Sequence, residues 1–236
     1  MTRIELAYGV SAAAANVVGA LALTSGRRWS VMALDRTLAF AAGFLLSVAF
    51  VDLLPEAVWR GGRTGAVVAL VAYVLVHLTQ HSIGRHFHFG EETHAVSRLT
   101  SGSALVGLLL HTFVDGVAVA SGLLVSQSVG ALVFVGVALH KFPEGLAISS
   151  LFLAAGASRR AAIAAAGALG VATIAGVALT EQIAGLQTYG LAISAGVTIY
   201  VGASNLVPEL QPRSGWGTPL SFVLGCGVYA VARSVL

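Results

Sequence analysis

Apolar runs broken by arginines, prolines and polar clusters divide the chain into eight helical stretches, near residues 6–24, 37–56, 64–83, 103–125, 127–154, 160–180, 184–207 and 217–235. Each is long enough to cross the hydrocarbon core of a bilayer, which takes about 20 apolar residues. The pattern runs from one end of the chain to the other, so a single anchor on a water-soluble domain does not describe it. The expected architecture is an all-α membrane protein, residues 1–236 forming one transmembrane domain.

Composition agrees. Of 236 residues, 57% are hydrophobic and only 10% charged, against about 25% charged in soluble domains, and the mean hydropathy is +0.88. One soluble core could not hide so much apolar surface. A net charge of +3 is spread thinly over the connections, so no nucleic-acid footprint exists. The single cysteine, Cys226, excludes a disulfide framework. The opening residues Met1-Thr2-Arg3-Ile4-Glu5 carry an acid where a signal peptide is basic, so the first apolar stretch is expected to be retained as a helix. Glycine, with 28 residues, and abundant alanine allow close helix approach and permit a homodimer.

The arginines orient the chain. Arg27, Arg28, Arg36, Arg85, Arg98, Arg159, Arg160 and Arg213 fall in alternate connections, whereas the other side holds only Arg3, Arg60, Arg63 and Arg233. Basic connections stay in the cytoplasm, so both termini are expected outside a cell (inner or plasma) membrane and the 85–102 connection inside.

Two repeats organise the spans. Ala42–Glu56 and Ala195–Glu209 align without gaps at an offset of 153 and share six of fifteen residues, including a Pro-Glu ending, with Asp52 meeting Asn205. The two segments would cross in opposite directions, which predicts an inverted repeat of helices 1–3 against 6–8 around a central 4/5 pair. That central pair carries the second repeat, His111-x-Phe113-x-Asp115-Gly116-x-Ala118 and His140-x-Phe142-x-Glu144-Gly145-x-Ala147.

Positions i and i+4 share a helix face, so His111 converges with Asp115 and His140 with Glu144, midway along their spans. An ionised aspartate at the bilayer centre costs about 2.5–3.5 kcal/mol on insertion scales, so such groups need a partner. Two imidazoles and two carboxylates form a four-ligand set for a divalent cation. Mixed N/O ligation suits Zn²⁺, Fe²⁺, Mn²⁺, Co²⁺ and Cd²⁺ better than Mg²⁺ or Ca²⁺. Interhelical His–carboxylate hydrogen bonds alone, averaging about 0.6 kcal/mol in membranes, are too weak to account for four ionisable groups. The ion is expected as transported substrate, with no cofactor, and the bilayer is the other partner.

With these motifs on spans 4 and 5, the Leu53-Leu54-Pro55-Glu56-Ala57 ending of span 2 and the Pro208-Glu209 ending of span 7, the chain resembles the ZIP (Zrt-, Irt-like) family of metal transporters, prokaryotic type. The resemblance implies influx of zinc or related divalent metals into the cytoplasm and ligand roles for His111, Asp115, His140 and Glu144. Bacterial members with a two-metal centre usually carry Asn and Asp after the two histidines. Here those positions are Thr112 and Lys141, the only lysine in the chain. An ammonium there repels a second cation, so one transport-site metal is expected, with Lys141 as an internal counter-charge to the carboxylates.

Asp52 and Glu56 would stand at the outer mouth of the pathway, and Asn205 and Glu209 at the cytoplasmic mouth. His77, His81, His86, His88 and His94 are candidates for capturing metal on the cytoplasmic side. The alternative from another class is an intramembrane zinc metallohydrolase using the same four ligands, although no His-Glu-x-x-His motif occurs.

Overall fold

The computed structural model describes residues 2–25, 30–83, 98–207 and 215–235; the side chains of residue 31, residues 80–83, residues 98–100 and Asn205 are not described. The described residues are helical, with no strand among them. Thr2 and Glu5 cap each other's backbone at the start of α1 (Arg3–Thr24), satisfying two of the donors a helix start leaves open. Ser30 caps α2 (Val31–Val48), which passes into a π-helical segment, π1 (Ala49–Leu53), and on into α3 (Leu54–Ile83). Within α3 the chain reverses at Gly62, whose φ of 56° is open to glycine without strain. The second stretch therefore extends beyond Glu56.

The central pair is α4 (Arg98–Val125) and α5 (Gln127–Ala154), each of 28 residues, about 42 Å long at 1.5 Å per residue. Ser126 caps α5, which continues through Pro143. Ser158 caps α6 (Arg159–Thr180). The chain continues as α7 (Ala184–Ile199), a second π-helical segment π2 (Tyr200–Leu206), and α8 (Gly217–Val235). Among the described residues, six stretches, Arg3–Thr24, Met32–Thr79, Ser101–Val125, Gln127–Ala154, Arg159–Thr180 and Gly217–Val235, are long and apolar enough to cross a membrane. The longest of them contains the reversal at Gly62.

The helices pack as two groups. One comprises α1, α4, α5 and α6; the other comprises α2, α3, α7 and α8, and they meet chiefly where α4 lies on α7 and α5 on α2. Lipid is as apolar as leucine, so tight backbone packing must associate these helices. Glycines supply it reciprocally: a Cβ on Gly116 would strike the backbone of Thr173, and one on Gly176 the backbone of Phe113, locking α4 to α6. Gly43 and Gly225 do the same between α2 and α8. Outward faces carry exposed Val67, Leu70, Val71 and Leu75 on α3 and Leu220, Val223, Leu224 and Val231 on α8, as surfaces that meet acyl chains require.

Candidate metal centre

His111 and Asp115 occupy adjacent turns of α4, and His140 and Glu144 adjacent turns of α5. All four side chains are buried. Each offers a ligating atom, and those atoms lie within 4.8 Å of one another. The pairing expected from the i, i+4 spacing is thus met, and the two pairs face a common point. The imidazole rings stand 5.6 Å apart, centre to centre, tilted by 38°.

One oxygen is the hub. Asp115 Oδ2 lies 3.3 Å from His111 Nε2, 3.2 Å from His140 Nε2 and 2.7 Å from Lys141 Nζ. His140 Nδ1 is 3.1 Å from the carbonyl oxygen of Gly136. A carbonyl only accepts, so Nδ1 carries a proton, and Nε2 is the ring nitrogen that faces Asp115. His111 Nδ1 and Glu144 Oε1 are buried without a hydrogen-bond partner among the described residues, so ligating capacity remains at the site beyond the contacts already made.

Lys141 is fully buried, at 0% exposure. Its ammonium donates to Glu144 Oε2 at 2.7 Å and lies at the same distance from Asp115 Oδ2, bridging the two carboxylates. Its side chain is therefore turned into the centre and not out toward water. Thr112 is also fully buried, and its hydroxyl donates to the carbonyl of Leu109.

Among the described residues, none of the other histidines and acids singled out in the sequence belongs to this cluster. Asp52 falls in π1 and is buried; the Tyr229 hydroxyl donates to its Oδ2 at 2.6 Å and Arg233 Nε to its Oδ1 at 2.9 Å. Those two partners from α8 were not read from the sequence, although Tyr229 and Arg233 share an i, i+4 face that could have marked them as a pair. Glu56 is bound by Arg60 one turn on, at 2.7 Å. The backbone of Asn205 lies in π2, and Glu209 lies outside the described residues. His77 packs its ring edge-on to Tyr200 at 5.9 Å. The backbone of His81 lies in α3, and His86, His88 and His94 lie outside the described residues.

A helical membrane protein that gathers two histidines and two carboxylates at mid-bundle belongs to the class that handles metal ions within the bilayer. The family described as ZIP zinc transporter matches residues 77–232. The chain is also 30% identical over 251 aligned residues to the zinc transporter ZupT of Enterobacter sp. (strain 638), covering 99% of this chain and 96% of that one. The chain belongs to the ZIP family. It is a multi-pass membrane transporter of divalent metal ions and not an enzyme, which disposes of the metallohydrolase alternative.

Proposed function

We propose that this protein carries zinc, and related ions such as Fe²⁺, Mn²⁺, Co²⁺ and Cd²⁺, into the cytoplasm through a mononuclear site formed by His111, Asp115, His140 and Glu144. The convergence of their ligating atoms within 4.8 Å is the observation that carries this reading. The donor set, two nitrogens and two oxygens, suits zinc coordination. The name of the ZupT relative points to the same ion.

The chain crosses the inner or plasma membrane eight times with both termini outside. The reversal at Gly62 and the length of α7 with π2, Ala184 to Leu206, support that count. The inverted relation of helices 1–3 and 6–8 draws support from the two π-helical segments, which fall on corresponding positions of the two repeated stretches. Asp52 and Glu56 attract cations at the outer mouth, and Asn205 and Glu209 guide release inside, with His77, His81, His86, His88 and His94 receiving the ion there.

At the centre the protein's own groups divide the work. Asp115 and Glu144 supply the charge that offsets the ion's lost hydration. The two imidazoles provide neutral donors, and the Gly136 carbonyl holds the tautomer of His140. Lys141 compensates the carboxylates when no ion is bound, and its positive charge disfavours a second cation. Sealed vesicles carrying the purified chain and an entrapped zinc dye test this reading: zinc entry that depends on His140 supports it, and entry unchanged in His140→Ala contradicts it.

A further inference from the structure

Asn16 is the one polar residue on the buried stripe Ala12–Asn16–Ala20 of α1, and all three side chains are at 0% exposure. Neither its amide nitrogen nor its amide oxygen has a hydrogen-bond partner among the described residues. A buried amide left so carries an uncompensated desolvation penalty, and in a working transporter such a group calls for an occupant in another state.

Its placement identifies the occupant. A Cβ on Gly145 would strike the backbone of Asn16, so α1 rests on α5 at the residue that follows Glu144. Tyr8 stacks on Phe134 at 4.3 Å further up the same pair of helices, which runs α1 alongside α5 in the same direction and sets Asn16 at the depth of Glu144. Lys141 stands one turn before Gly145 and hence on the α1-facing side of α5. Its long side chain leaves from that side and bends to Asp115 and Glu144.

The bend is contested. Asp115 Oδ2, which lies within 3.3 Å of both histidine Nε2 atoms, is also 2.7 Å from Lys141 Nζ. An ion held by both imidazoles and Asp115 takes the oxygen that the ammonium holds, and two positive centres at that range repel. The ammonium has to move, and its stem leaves α5 on the face that packs against α1, the helix that carries the unpartnered Asn16 amide.

We propose that Asn16 receives the Lys141 ammonium when the cargo ion takes Asp115, making the pair a two-position charge switch coupled to cargo binding. Asn16 is thus a positioning residue acting through Lys141, and it tunes affinity for the ion without touching it. The proposal rests on the transport-site reading above.

Zinc titration of the purified full-length chain tests it with Asn16→Thr and Asn16→Val, which share a shape and differ in having an acceptor oxygen. The valine variant binds zinc about tenfold more weakly than the threonine variant, the scale of one hydrogen bond to a charged group. In a Lys141→Met background the two bind alike. Equal affinities in the Lys141 background, or the same difference in both backgrounds, overturn the switch. Zinc binding unchanged by His140→Ala overturns the transport-site reading and the switch together; intact dependence on His140 with indistinguishable threonine and valine variants overturns the switch alone.

Discussion

Asp115 and Glu144 are held in an apolar interior by a single lysine, and the site's behaviour without cargo turns on that bridge. Breaking a buried ion pair by removing one partner typically costs about 3–5 kcal/mol. Lys141→Met is therefore expected to lower the thermal unfolding temperature of the metal-free protein, and added zinc should stabilise it more than it stabilises the wild type. Unfolding curves with and without zinc check both. The Asp52 cluster gives a second residue-scale expectation. Tyr229→Phe removes a hydroxyl bonded to a carboxylate, worth about 1.5–3 kcal/mol, and should destabilise the protein measurably while leaving zinc affinity at the central site intact. The cluster of His111, Asp115, His140 and Glu144 could be read from the sequence because the relation within each pair is local: i and i+4 share a face wherever a helix forms. The bond from Tyr229 to Asp52 spans 177 residues, and no spacing rule reaches across that distance. Asn16 was hidden for another reason. A lone amide in an apolar helix looks the same in sequence whether it is packed or poised.

At the scale of the elements, glycine decides how near the helices come. Gly116 and Gly176 each face the other helix's backbone, with no side chain able to yield. Gly176→Leu is expected to push α6 off α4 and reduce the folded, monodisperse fraction in detergent, read by size-exclusion chromatography. Gly167, which meets nothing within 4 Å, should accept the same substitution. The apolar runs announced most elements to within a few residues, since length and hydropathy alone define a spanning helix. The π-helical segments were not legible, because a single widened turn leaves hydrophobicity unchanged. Yet π1 and π2 occur in the two stretches whose sequences repeat, and π-helical turns are frequent at functional sites. In π1 the local backbone carries Asp52 toward α8, where Tyr229 and Arg233 meet it.

Across the whole molecule, the clustered histidines and carboxylates come from α4 and α5 in one helix group, while Asp52 lies in the other. That division was not visible in the sequence, because apolar faces do not specify which neighbour they meet in a lipid environment. Orientation was inferred from arginines alone and is open to direct measurement. With Cys226 replaced by serine, a cysteine introduced at residue 90 should react with an impermeant thiol reagent only from the cytoplasmic side. Uptake should also fall as the medium is acidified, since metal must displace protons from imidazole and carboxylate ligands; initial rates measured across a pH series check the sign. The central claim is tested most directly by zinc entry into sealed vesicles reconstituted with the full chain and loaded with a zinc-sensitive dye. The wild type should give a saturable signal that vanishes in His140→Ala. Equal signals from the two proteins, or none from a correctly folded wild type, would contradict the account.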